Sequence, residues 1–226
     1  MSHLVEDTRH RLLEAAGEVF AEKGFDAATV REICSRADAN VAAVNYYFGD
    51  KEHLYVEVVR HAHLAGQEHR PLEFSPDVPP QAKLREYIRH MFMRLLDENR
   101  PAWHARLMIR EMAEPTKACE ILVESYVRLS YGMIDGILKE LLPRETSAVD
   151  RHLIAFSIVG QCVQFKIHQP IARFLVGDKE LESYDIDRLT DHVTRFSLAA
   201  MGLGKPVFET ARKRQEPSPS MQGDAS

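Results

Sequence analysis

Apolar residues recur along this chain at helical spacing, and nowhere do they alternate long enough to read as a strand. Leu12, Ala15, Ala16, Val19 and Phe20 form the first stripe, on a helix that Thr8 would cap. That helix is predicted to run to about Lys23 and to stop at Gly24. Thr29 and Glu32 then stand at the T-x-x-E spacing of a capping box. They open a short second helix with Val30, Ile33, Cys34 and Ala37 on its inner face. Asp38 and Ala39 make a turn, Asn40 caps a third helix over 41–48, and Gly49 ends it. Asp50 caps a fourth helix with Leu54, Val58, Ala62 and Ala65 on one side.

The stretch RPLEFSPDVPPQ (70–81) contains four prolines and cannot continue a helix. Helical periodicity resumes near 81–99, 101–113, 116–142, 147–168 and 186–203, with Pro101, Pro115, Pro143 and Pro170 as punctuation. The closing QEPSPSMQGDAS is polar and rich in Pro and Ser, the composition of a disordered tail. The pattern therefore predicts an all-α chain in three parts. Residues 1–52 form a three-helix unit with a helix-turn-helix, 53–205 form a larger helical domain, and 206–226 form the tail.

The third helix, with its cap, reads NVAAVNYYF and carries no charge. Val44 and Phe48 are four apart and can face the first two helices, which leaves Val41, Ala42, Ala43, Asn45, Tyr46 and Tyr47 on the outer side or its edges. A solvated helix would fill those positions with Lys and Glu. The face is thus either buried against the rest of the chain, an apolar patch for docking a protein, or a surface for the DNA major groove. In the groove, Ala and Val touch thymine methyls, Asn pairs bidentately with adenine, and Tyr hydroxyls reach phosphates.

Charge neither proves nor excludes this. The 226 residues carry a net charge of −5, and residues 1–53 contain six Lys/Arg against ten Asp/Glu. DNA binding would need the acids, including the Glu14, Glu18, Glu22 stripe, turned away and Arg31, Arg36 and Lys51 turned toward the nucleic acid. Cys34, Cys119 and Cys162 are odd in number and widely spaced, which points to reduced thiols in a cytoplasmic protein. No signal segment, membrane span, phosphate-binding loop, nucleophile elbow or zinc-protease motif is present, so neither an enzyme, a cofactor nor a metal site is expected. His61 and His63 lie two apart on a helix and point to different sides.

Residues 8–55 resemble the DNA-binding domain of TetR-type transcriptional regulators. The landmarks are RLLEAAGEVFAEKGFDAATVREI, the turn RADAN, and VAAVNYYFGDKEHLY. The stretch AWHARLMIREMAEPT (102–116) is similar to the CecR-like branch. The resemblance implies a dimeric, ligand-responsive regulator, by default a repressor, that binds a palindromic site on double-stranded DNA. It implies that Thr29 and Arg31 stand at the DNA edge. It places Val41, Ala42, Ala43 and Asn45 on the base-reading surface and Tyr46, Tyr47 and Lys51 at the phosphates. Two departures are visible: Asp38 stands where the family often has glycine, and Val41 and Ala43 stand where it often has basic or polar residues.

In the body, LIAFSIVGQCVQFKIHQ (153–169) is apolar almost all round, and Ile186, Leu189, Val193, Phe196, Ala200 and Leu203 share one stripe. Both helices suit either a dimer interface or an intrachain core. The interface candidates are Phe156, Val159, Val163, Val193, Phe196 and Ala200. For a small-molecule effector pocket the candidates are Trp103, Leu107, Arg110, Met112, Tyr126, Phe165 and His168, each of which could equally be a packing residue.

Overall fold

The computed structural model describes residues 2–64, 72–97 and 99–206; within it the side chains of 2–6 and of Tyr126 lie outside the description. Every regular element among the described residues is helical. The N-terminal helices are α1 (Ser2–Ala27), α2 (Val30–Arg36), α3 (Val41–Phe48) and α4 (Lys51–Leu64). The body contains α5 (Pro80–Leu95), α6 (Ala102–Ala113), α7 (Lys117–Leu122), a π-helical segment (Val123–Val127) and α8 (Arg128–Leu141). It closes with α9 (Ala148–Ile167), α10 (Gln169–Val176), α11 (Asp178–Leu181) and α12 (Ile186–Ala200). The expected boundary at 52/53 falls inside α4, and the expected tail beyond 206, together with Ala65, lies outside the described residues.

Local chemistry accounts for most helix ends. Gly24 leaves the helical region of α1 at φ +79°, and α2 starts where Thr29 Oγ1 accepts from the Glu32 N–H at 3.2 Å. Asn40 Oδ1 accepts from the Ala42 N–H at 2.9 Å, and Asp50 Oδ1 from the His53 N–H at 2.8 Å. Asp38 holds φ +47°, a left-handed conformation in which Asp is tolerated better than most residues but glycine is better still.

Three expectations change. Thr8 does not cap α1, which already runs from Ser2. Glu32 does not complete the reciprocal capping box, because its carboxylate is drawn to Lys23 Nζ (2.6 and 2.7 Å) and to Arg36 (3.2 Å). Pro170 starts a helix instead of ending one: it sits in the first turn of α10, where a missing N–H costs nothing.

Two cores result. The first gathers Leu12, Ala16, Val19 and Phe20 with Ile33, Val44, Leu54 and Val58, and it also takes in Trp103 and Leu107 of α6. The second lies between α5, α8, α9 and α12 around Ile88, Phe92, Leu138 and Ile158. Helix α6 belongs to the first core, packed on α1 and α4. Gly17 makes room for Trp103, whose ring carbons lie 2.5 Å from where a Cβ would stand, and Gly24 does the same for Arg110 at 2.7 Å. Both pairs are spaced by seven residues, so α6 runs beside α1 in the same direction. Where α6 meets α4, fully buried Glu111 accepts from the Tyr55 hydroxyl and from Thr116 Oγ1 (3.0 Å).

Candidate nucleic-acid interface

Helix α3 is held from below and bare above. Val44 is fully buried and Phe48 nearly so, while Val41 (47% exposed), Ala42, Asn45 and Tyr46 (78%) face out. Ala43 and Tyr47 are half-buried at the edges, packed on the first core. The Ala and Asn side chains are therefore not sealed inside the chain. Thr29 and Arg31 are exposed at the start of α2.

The surrounding charges are arranged differently from the simple expectation. Of the three cations expected at the DNA, Arg36 is drawn into ion pairs and Lys51 is docked on its own domain, while Arg31 makes no ion pair among the described residues. Arg36 is held by Glu22 (2.7 Å), Glu32 (3.2 Å) and, more loosely, Glu18 (3.9 Å). The Arg36 hydrogen bond keeps the Glu22 carboxyl below its usual pKa, and Lys23 does the same first for Glu32. Lys51 is half-buried: its Nζ lies 4.5 Å from the Phe25 ring centre and donates to the Asp26 carbonyl at 3.3 Å. The acidic stripe of α1 does not simply face away. Glu14 turns inward, accepting from the Trp103 indole N–H at 3.1 Å and lying 3.2 Å from His61 Nε2.

That carboxylate also meets His10 Nε2 at 3.9 Å, and the ligating atoms of His10, Glu14 and His61 all fall within 4.8 Å. The trio lies across α1 and α4. With Glu14 already engaged by an indole and an imidazole, it acts as a polar seam against α6.

The body places the effector candidates apart from one another. A cavity of about 130 Å³, open on one side, lies between the last turns of α4 and α5, one face of α6 and the end of α9. Met112 lines it; the other described candidates do not. Trp103 and Leu107 are on the opposite side of α6, buried in the first core, because their ring and side chain pack on α1. Arg110 lies over Gly24 and pairs with Glu114 at 3.6 Å. Phe165 packs edge-on to Phe92 in the second core, at 5.9 Å between ring centres. His168 is half-buried at the α9–α10 junction, its Nδ1 buried without a partner. Sequence reasoning missed the cavity's polar groups, Arg94, Asp97, Arg100, His104 and Lys166. Arg-Pro before a helix and a histidine one residue after the tryptophan gave no local signal, since the site forms only when α4, α5, α6 and α9 meet.

The dimer candidates also divide. Val193 cannot belong to an intermolecular face: it is fully buried against the chain's own second core. Val159 is half-buried against the same core, and half-buried Val163 lines the cavity. Phe156 (63% exposed), Phe196 (49%) and Ala200 remain outside. Helix α12 is rotated so that Thr190, Thr194 and Ser197 are buried with Val193 while Phe196 is not. Thr194 Oγ1 and Ser197 Oγ have no partner there. No described helix is long and apolar enough to cross a membrane.

Comparison with known proteins agrees with this architecture. Residues 12–58 match the family described as bacterial regulatory proteins, tetR family. Residues 80–201, more than half of the chain, match the C-terminal domain of the HTH-type transcriptional dual regulator CecR. The CecR regulator of Shigella flexneri is 27% identical over 212 residues, covering 88% of this chain and 94% of its own. Among solved structures, FadR from Bacillus subtilis in complex with stearoyl-CoA aligns with a TM-score of 0.56 at 17% identity, over 84% of this chain and 97% of that one. A TetR-like transcriptional regulator from Rhodococcus sp. RHA1 aligns at 0.55 and 17% identity, over 86% and 96%. With an exposed, uncharged third helix set on a helix-turn-helix and a helical body behind it, this chain belongs to the TetR family of DNA-binding transcriptional regulators, in the group with a CecR-type C-terminal domain.

Proposed function

We propose that the protein is a homodimeric repressor that reads a roughly palindromic operator through α3 and leaves it when a small molecule occupies the body. One observation carries the reading: the outward face of α3 is small, neutral and hydrogen-bonding, and is held rigidly from beneath by Val44 and Phe48. In this arrangement Val41 and Ala42 make apolar contact with base edges, with Ala43 at the margin, and Asn45 makes the bidentate pair. Thr29, Arg31, Tyr46 and Tyr47 contact the backbone, with Arg31 near enough to the groove for a base. Lys51 joins the phosphate contacts through those ammonium donors that the Asp26 carbonyl does not use.

Dimerisation is supported by α9 and α12, whose exposed Leu153, Phe156, Phe196 and Ala200 would be covered by the same helices of a second copy. The rotation of α12 toward its polar side is what a partner on the other flank would explain. An effector is supported by the cavity and by the stearoyl-CoA bound to the FadR neighbour. The test is selection of duplexes from a random pool, followed by anisotropy titration against salt. Affinity should fall steeply with salt, as phosphate binding does. Failure to enrich any duplex, or salt-insensitive capture of protein by the α3 face, would favour the docking-patch alternative.

A further inference from the structure

The cavity gathers more positive charge than its own acids offset. Arg94, Arg100 and Lys166 line it, with Asp97 the only carboxylate among the described lining residues. The hydrogen bonds of the two arginines go to backbone carbonyls. Arg94 Nη2 donates to the His63 carbonyl at 3.3 Å, and Arg100 donates to the Ala62 carbonyl at 2.6 Å and the Arg94 carbonyl at 3.2 Å. Arg100 Nε is buried without a partner. His104, on the same wall, is 4% exposed, and neither of its ring nitrogens has a partner. Burial, and then Arg100, lower the pKa of Arg94; burial alone lowers that of Arg100.

Holding the end of α4 explains some of these donors but not all. Helix-end carbonyls attract cations, yet this role leaves Arg100 Nε and both His104 nitrogens unused. Buried donors without acceptors are rare, because each forfeits its hydrogen bonds to water. The rest of the wall is aliphatic: Met108, Ile109 and Met112 from α6, and Val163 and Ile167 from α9. No Phe, Tyr or Trp is among the described residues that line it. Flexible thioethers and branched aliphatics suit a chain rather than a flat ring, which would call for stacking partners.

We propose that the cavity binds an amphipathic anion, an acyl or alkyl chain ending in a carboxylate or phosphate. The head sits on Arg94, Arg100 and His104, and the chain lies along Met108, Met112 and Ile167. This rests on the effector-binding reading above and specifies the effector's class. The same two guanidiniums hold the α4 carbonyls, so a bound anion competes for them. Head-group charge and the attachment of α4, the helix that follows the reading helix, then belong to one equilibrium.

The test is calorimetric titration of the full chain with decanoate, decyl phosphate and decanol, each below its micelle-forming concentration. At least one anion should bind about ten- to a hundredfold more tightly than decanol, the contribution of one or two charge-assisted hydrogen bonds. The better of the two anions distinguishes a carboxylate source from a phosphate source. Arg94→Met and Arg100→Met should lower anion affinity to that of decanol and leave decanol unchanged, with folding checked by thermal melting. If Arg100→Met does not fold, Lys166→Met should weaken the anions selectively. Equal binding of decanol and anions, binding of neither anion, or unchanged anion affinity in the variants would overturn the proposal. Affinity for a selected duplex without additive separates the two readings. A protein that holds its duplex but ignores both anions contradicts only the effector class. A protein that holds no duplex contradicts the regulator reading and leaves the cavity result standing.

Discussion

Two of the uncharged surfaces that the described residues expose differ in size and chemistry. On α3 the exposed groups are Val41, Ala42, Asn45 and Tyr46: short side chains, one amide and one phenol. On α9 and α12 they are Leu153, Phe156 and Phe196, which are large and lack any hydrogen-bonding group. A lack of charge alone would have assigned both to the same role. Size and hydrogen-bonding capacity separate a face suited to base edges from one suited to burial against protein. The first needs rigidity beneath it, which Val44 and Phe48 supply; the second needs apolar area.

Breaking the second surface should have the larger effect. Phe156→Glu places a charge on the face of α9 proposed to meet a second copy. It is expected to give a monomeric mass in light scattering and to reduce operator affinity roughly 10²–10⁴-fold, the avidity of two linked reading helices. A dimeric mass in that variant would remove α9 from the interface. Next is the contact between α4 and α6. Glu111→Ala strands the Tyr55 hydroxyl and Thr116 in a buried site, with an expected cost of about 3 kcal/mol in thermal or denaturant unfolding. A loss confined to a few tenths would show that this contact is relaxed by water.

On the first surface, Asn45→Ala should lose about 1–3 kcal/mol on the selected duplex and relax one base position. Unchanged discrimination would remove Asn45 from base reading.

Acid acts on the body. Burial, then Arg94 and Arg100, hold His63 at a pKa of about 4, and burial, then Arg100 and His61, hold His104 at about 4, against 6.5 for a free imidazole. The unfolded chain binds the extra protons, so this stability is present above pH ~6.5 and is lost progressively as pH falls toward ~4. The expected loss by pH 5 is on the order of 1–2 kcal/mol, and a flat melting temperature from pH 7 to 5 would contradict it. The smallest effect is that of Lys51→Ala, expected to flatten the salt dependence of DNA binding by about one unit. Because Lys51 is docked on Phe25 and Asp26, an unchanged slope would mean that it serves only the domain's own packing.

The legibility of these features in sequence follows their range. The helix-turn-helix was readable because its determinants are local: Thr29 and Asn40 cap, Gly24 and Gly49 end, and Val44 and Phe48 recur at one turn. Within α12 the apolar stripe misplaced Val193, because tertiary packing turned the helix toward Thr190, Thr194 and Ser197. Trp103 and Arg110 looked like pocket residues, yet they pack over Gly17 and Gly24, some 86 positions earlier in each case. Glycine inside the α1 pattern was the available hint, a gap waiting for a bulky neighbour. The cationic cavity had no local signature, since Arg94, Arg100, His104 and Lys166 come from three helices and a turn.

The central claim is that α3 enters the major groove twice per dimer, and cross-linking tests it most directly. A photoreactive side chain placed at Ala42 should label bases of a selected duplex at two positions about 34–36 Å apart, or a multiple of that spacing. Labelling absent from the bases, or confined to one position per bound protein, would contradict the account.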